Sequence, residues 1–309
     1  TNTTGADNTA AGFNSLFLYS FGYSNTANGA SSLRANTTGY QNAASGAYSL
    51  LSNTTGIYNA AHGNSSLGSN TQGDYNTGSG SNALFNNTLG NRNTAAGYTA
   101  LSTNTIGNNN TAIGYAADVA VNNLSNATAI GYNAKVAASN SLVLGGTGAD
   151  AVNVGIGTTT PGFPLNFANT LGNKISLYGN TGSHYGFGVQ GGLLQIHSDA
   201  AAADIVLGYG SSTSFIENMR IKGNGNVGIG NNNPVRPLSF PASLGEKILL
   251  YPGGAGEVGI GVYGNELRLH ADNPGAAVSF GTQDNAGLFT QAGRFQISGG
   301  YGLFVNGNI

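Results

Sequence analysis

The chain has 309 residues, 51 of them glycine, with no cysteine, no tryptophan and a formal net charge of -2. Only 7% of residues are charged, against about 25% in an ordinary soluble domain, so no charge excess draws the chain to nucleic acid or an anionic membrane. Glycine and asparagine at this density disfavour long helices, the lack of cysteine excludes a disulfide framework, and no apolar run approaches the roughly 20 residues of a membrane-spanning helix.

Hydrophobic residues still make up 39% of the chain, enough for a core. No basic stretch followed by an apolar one opens the sequence. It begins at Thr1, inside a repeat, which predicts a mature or incomplete segment with any export signal or anchor elsewhere.

The first element is that repeat. Glycine recurs every 17 residues at Gly12, Gly29, Gly46, Gly63, Gly80, Gly97, Gly114 and Gly131. A second series keeps the period at Gly5, Gly22, Gly39, Gly56, Gly73, Gly90 and Gly107. Between them run leucines (Leu16, Leu33, Leu50, Leu67, Leu84, Leu101) and asparagines (Asn8, Asn25, Asn42, Asn59, Asn76, Asn93, Asn110). The periodic apolar positions argue against a disordered polar tract.

Seventeen residues are too few for a helical repeat, since helix-pair repeats need about 33 or more. They suit one coil of a β-solenoid with two short strands and two tight turns. Two residues before the first glycine the chain places Ala10, Ala27, Ala44, Ala61, Ala95, Ala112 and Ala129, with Gly78 the exception. Such small residues let backbones approach, leucine fills the remaining interior, and glycine supplies turn positions with φ > 0. Stacked coils place equivalent residues about 4.8 Å apart, so in-register asparagines are expected to form amide ladders and like charges to be avoided. Residues 1–117 carry only Asp7, Arg34, Asp74 and Arg92, and the one pair sharing a repeat position, Asp7 with Arg92, has opposite signs.

The runs Asn110-Thr111-Ala112-Ile113-Gly114-Tyr115, Ala127-Thr128-Ala129-Ile130-Gly131-Tyr132 and Asn140-Ser141-Leu142-Val143-Leu144-Gly145 resemble head repeats of trimeric autotransporter adhesins. The resemblance covers about residues 1–145. It implies a left-handed parallel β-roll, three chains side by side, and binding to host matrix or other cells. The period departs from the family's, which is nearer 14 residues, the spacing of the closing step from Gly131 to Gly145. A longer coil implies an enlarged turn. Lateral partners would also suit a thin coil that buries little by itself.

After Gly145 the pattern changes. Val154-Gly155-Ile156-Gly157-Thr158-Thr159-Thr160-Pro161 recurs 73 residues later as Val227-Gly228-Ile229-Gly230-Asn231-Asn232-Asn233-Pro234. The match runs on through Phe167/Phe240, Lys174/Lys247, Gly188/Gly261, His197/His270 and Gly208/Gly281. A tandem duplication of a β-rich module follows, with alternating strands such as Glu266-Leu267-Arg268-Leu269-His270 between Gly/Pro turns. Asn306-Gly307-Asn308-Ile309 is similar to Asn224-Gly225-Asn226-Val227, which predicts continuation into a further module. The phrase and its module resemble segments of long surface proteins and phage tail-fibre-like proteins of Bacteroidetes-type bacteria, over about residues 151–309.

Signals for chemistry are sparse. Gly186-Phe187-Gly188-Val189-Gln190-Gly191 and Gly259-Ile260-Gly261-Val262-Tyr263-Gly264 match G-x-G-x-x-G, yet no helical pattern follows to hold a pyrophosphate. Gly145-Gly146-Thr147-Gly148-Ala149-Asp150 starts like a calcium-binding nonapeptide but occurs once; a junction loop is the preferred reading. His197-Ser198-Asp199 and His270-Ala271-Asp272 each place a histidine and an aspartate on one strand face. Repeated about a threefold axis they would make a metal or polar cluster, but a side-chain hydrogen bond copied with the module is favoured. No metal and no cofactor is expected. His62 and His184 have no recognisable partner. Tyr98, Tyr115 and Tyr132 share one repeat position; they suit either stacking on sugar rings or an aromatic ladder along the coil face. No nucleophile–base pair or carboxylate pair stands out, so enzyme activity is not expected.

The expectation is an all-β chain: a β-roll over 1–145, then modules over 146–233 and 234–309, associating as an intertwined or side-by-side homotrimer. Its function is expected to be structural and adhesive, outside the cell on a surface or virion appendage. The contacts are with cells, surfaces or glycans, each weak and multiplied along the fibre. A phage or injection-system tail fibre recognising a host surface is the first alternative, a fibre-borne glycan hydrolase the second, and a receptor-free filament is a further reading.

Overall fold

The computed structural model describes residues 5–18, 21–180, 183–198, 200, 202–253, 256–264, 266–270, 277–283, 289–296 and 303–305. The chain divides into two compact units, Thr1–Ala168 and Asn169–Ile309. Among the described residues there is no α-helix, only one short 3-10 turn at Gly148–Asp150, and so no helix long and apolar enough to cross a membrane.

The first unit is a parallel β-solenoid. Strands Thr9–Ala11, Thr26–Asn28, Ala43–Ser45, Ala60–His62, Thr77–Ser79, Thr94–Ala96, Thr111–Ile113, Thr128–Ile130 and Leu142–Leu144 form one nine-stranded sheet, consecutive coils being neighbours. Pairing follows the sequence period, from Thr9 facing Thr26 to Thr111 facing Thr128. The last step shortens, so that Leu142 faces Thr128.

The expected second strand is missing from the coils before Thr111. It forms only at Asp118–Val119 and Lys135–Val136, which pair with each other. Elsewhere left-handed backbone occupies that stretch. At the place that Asp118 takes in the strand-forming coil, earlier coils carry a left-handed leucine, as at Leu50 with φ of 49°, and such a residue bends the chain rather than extending it. Each left-handed non-glycine residue costs about 1–2 kcal/mol. At the leucine position burial is the compensation, since Leu33, Leu50, Leu67, Leu84 and Leu101 are fully enclosed, worth about 1.5–3 kcal/mol each. The turn is strained so that the side chain points inward.

Ala27, Ala44, Ala61, Ala95, Ala112 and Ala129 line the inner face of the sheet opposite these leucines. Gly78 replaces alanine for a local reason. Ser32 and Ser49 donate to the glycine carbonyl three residues back in their own coils, Gly29 and Gly46. Ser66 instead reaches across the interior to the Gly78 carbonyl at 2.9 Å, and a Cβ at position 78 would collide with its hydroxyl.

From Asp118 the interior changes. Val119 and Val136 are buried where earlier coils bury leucine one residue before. Beyond them the unit closes with Val154–Ile156 paired in parallel to Leu165–Phe167.

The second unit consists of antiparallel meanders. Gly172–Asn180, Ser183–Gln190 and Leu193–His197 form one sheet. Ile205–Ser211, Ser214–Ile221 and Val227–Ile229 form the next, extended by Leu238–Ser239 in parallel. The duplicated module repeats the first with Gly245–Gly253, Gly256–Tyr263 and Glu266–His270. Even its irregularities recur: register shifts at Asn173/Ile175 and Ser176/Tyr178 return at Glu246/Ile248 and Leu249/Tyr251. A last meander joins Ala277–Gln283, Phe289–Gln296 and Leu303–Val305. Among the described residues, buried leucine and valine side chains all lie between Leu16 and Val136, and those of the second unit enclose no Leu, Ile, Val, Met, Phe or Tyr side chain.

Candidate functional site

The periodic glycines and asparagines form the interior framework of the solenoid. Gly29 has φ of 140°, and a Cβ there would lie 2.5 Å from the Gly46 carbonyl oxygen. The second glycine series works differently: Gly39 is not at positive φ, but a Cβ would lie 2.5 Å from the Gly56 oxygen. Close approach, not turn conformation, requires it.

The asparagines that share the register form the expected ladder. The Asn42 backbone N–H donates to Asn25 Oδ1 at 3.0 Å, and Asn42 Nδ2 donates to the Gly56 carbonyl at 2.8 Å. The same two bonds recur from Asn25 to Asn110, where the carbonyl partner is Leu124. Asn8 lies at the outer end and supplies Oδ1 to Asn25.

A second ladder was missed in the sequence. Asn36, Asn53, Asn70, Asn87 and Asn104 are fully buried, and from Asn53 onward each Nδ2 reaches the preceding Oδ1 at 2.8–2.9 Å. Its signal was present, a strict 17-residue spacing, hidden by the general richness in asparagine. The two ladders share the carbonyls of Gly39, Gly56, Gly73, Gly90 and Gly107 and join directly at Asn110, whose Nδ2 also bonds Asn104 Oδ1 at 3.1 Å. There both series stop, with Val121 and Ala127 in the next places.

Tyr98, Tyr115 and Tyr132 stack in sequence with ring centroids 5.3 and 5.4 Å apart. A second stack was not anticipated. Tyr23 lies on Tyr40 at 4.6 Å, Tyr58 on Tyr75 at 4.9 Å, Tyr40 meets Tyr58 edge-on, and the Arg92 guanidinium caps Tyr75 at 5.8 Å. The spacing of 18 from Tyr40 to Tyr58 hides this row from a strict period search. Burial, then the neighbouring phenols, raises the Tyr40 hydroxyl above the usual tyrosine range. Rings stacked on each other have spent their faces. What Tyr98, Tyr115 and Tyr132 offer along the row is exposed edges and hydroxyls, with ring faces open only at its ends.

The remaining signals fall into structural places. Both G-x-G-x-x-G copies lie on or just beyond strands, Ser183–Gln190 and Gly256–Tyr263, each entering a further strand. In the junction loop, Asp150 accepts from Asn133 Nδ2 at 2.9 Å. Asp199 and Asp272 lie outside the described residues, as does the His270 side chain, so the two His–Asp candidates are represented by His197 alone. Among the described residues no group of three or more His, Cys, Asp or Glu side chains could hold a metal ion. His184, read as lacking a partner, meets His197 ring to ring.

Asp118 is buried and accepts from Thr103 Oγ1 at 2.7 Å, Ser102 Oγ at 3.2 Å and the Val119 N–H at 2.8 Å. Burial raises its pKa despite these bonds. In the second unit Arg220 bridges Glu217 and Asp204, both at 2.6 Å. The Gly223 N–H and Arg220 lower Asp204, and Arg220 lowers Glu217. An open depression is lined by Glu217, Phe215, Asn231 and Pro241, but a carboxyl held ionised in this way is the opposite of a general acid.

No protein-family model, no curated protein and no solved structure matches the chain.

Proposed function

We propose that this chain is a segment of an extracellular structural fibre, assembled from copies of itself as a homotrimer, that adheres to cells, surfaces or glycans through contacts repeated along its length. One observation carries the assembly part of this reading. Among the described residues of the second unit, large apolar side chains from Leu171 to Leu269 stand in solvent, with Leu194 77%, Tyr178 76% and Leu267 72% exposed. Single exposed apolar residues are ordinary, but successive sheets whose described residues leave so many of them in solvent are the pattern of a partnered surface. Identical copies supply a matching apolar surface with closed symmetry. The head-like repeats of the first unit support a surface location, and the exposed edges of Tyr98, Tyr115 and Tyr132 supply the repeated contact. Each such contact is weak, and several engaged at once multiply into avidity.

Light scattering on the purified full chain tests the assembly, with a trimer expected. A chain that stays monomeric at micromolar concentration sinks this reading. Glycan and cell-surface binding is then compared between the wild type and Y98A/Y115A/Y132A. Equal binding by both removes the tyrosine row as the adhesive surface.

A further inference from the structure

In the first meander of the second unit the rings of His184 and His197 meet edge to face, centroids 4.7 Å apart and planes at 84°. His184 is 8% exposed. The Nε2 atoms of both rings are shielded and have no hydrogen-bond partner. Strand register produces the meeting: His197 pairs with Gly186, two residues beyond His184 on the same face. Glycine at 186 is required by the neighbouring strand, since a Cβ there would collide with the Ile175 carbonyl oxygen, and its distance of 3.4 Å to the His184 ring would be ordinary contact. A neutral imidazole has one N–H and one lone pair to satisfy, and two buried nitrogens with neither satisfied are costly to keep side by side.

We propose that His184 and His197 form a binding site for a late first-row divalent metal ion. Both Nε2 lone pairs ligate, each Nδ1 carries the remaining proton, and water or oxygen donors complete the coordination. Imidazole pairs favour zinc, copper and nickel over magnesium or calcium. The duplication points the same way. The second copy pairs His270 with Gly259 as His197 pairs with Gly186, and places Glu257 where the first has His184. The flanking residues change freely, Ser183 to Gly256 and Tyr185 to Val258, yet both pairs are of residue types that bind zinc.

The test uses the full chain, stripped with a chelator, dialysed against zinc and then against metal-free buffer, with retained zinc measured by mass spectrometry. H184Q and H197Q are each expected to lose the same zinc equivalent, and H62Q, which alters a histidine of the first unit, to keep it. Retention by H184Q and H197Q equal to the wild type overturns the site, as does a wild type that retains none. Should either variant fail to fold, X-ray absorption on zinc-loaded wild type decides. At least two imidazoles in the zinc shell are expected, and a shell without imidazole overturns the proposal.

Discussion

The two units solve the same problem in opposite ways. In the first, every coil is a partner for the next, so leucines, alanines and two asparagine ladders are enclosed within one chain. In the second, the described residues of the meanders present apolar side chains to solvent. A repeat that stacks along its own axis completes a core, whereas a repeated three-stranded sheet must find a surface to lie on. The difference lies in where the repeat finds its neighbour, not in its hydrophobicity.

Glycine substitution should break this comparison hardest. Gly46→Ala meets a carbonyl at 2.5 Å on a backbone with φ of 136°, and strain plus overpacking are expected to cost about 3–5 kcal/mol. Gly191→Ala, with no atom within 4 Å, should stay within about 0.5 kcal/mol; urea unfolding measures both. Next comes the ladder. Asn76→Ala leaves the Asn93 N–H without its side-chain acceptor, while the Gly90 carbonyl keeps Asn87 Nδ2, and destabilisation of about 1–3 kcal/mol is expected. A loss below about 1 kcal/mol would mean that water replaces the amide.

Acid should separate the units by sign. Asp118 has its folded value raised above the ordinary 3.8, so its ionised form is disfavoured in the fold. Its contribution is therefore fully present below the unfolded value and lost as pH rises through the folded one. Asp204 and Glu217 have lowered values, so their contribution is present above the ordinary range and lost as pH falls through the folded values. Hydrogen exchange corrected for intrinsic rates should show the coils around Asp118 gaining protection on acidification while strands Ile205–Ser211 and Ser214–Ile221 lose it. The smallest effect on the single chain is expected for Leu194→Glu, within about 0.5 kcal/mol for a side chain in solvent. The association state measured by sedimentation should fall sharply. A variant that sediments like the wild type would leave Leu194 outside the contact between copies.

Much of the solenoid was legible because a 17-residue period exposes itself in each coil. The glycine, leucine and first asparagine series each occupy the interior places their chemistry suggests. The left-handed leucines were not legible: leucine carries no preference for φ > 0, and only packing between coils imposes it. The roles of Gly39 and its equivalents were hidden for the same reason, since close approach and turn conformation both select glycine. In the second unit the duplication and its strands could be read. The meeting of His184 with His197 could not, because it depends on hairpin register rather than on any spacing in the chain. The uncovered faces were equally invisible, as alternation in Glu266–His270 looks the same whether one side is enclosed or not.

The convergence of both ladders on Asn110 carries a consequence for inheritance. Recombination between two coils that deletes or copies one whole period rejoins every amide to an equivalent acceptor, so length changes in units of a coil with little penalty. An insertion of any other size puts asparagine, leucine and glycine out of phase across the coil that receives it, which must loop out the excess to keep register with its neighbours. Coil number is thereby a heritable quantity that can vary step by step, and the side chains that end the ladders travel with the last coil.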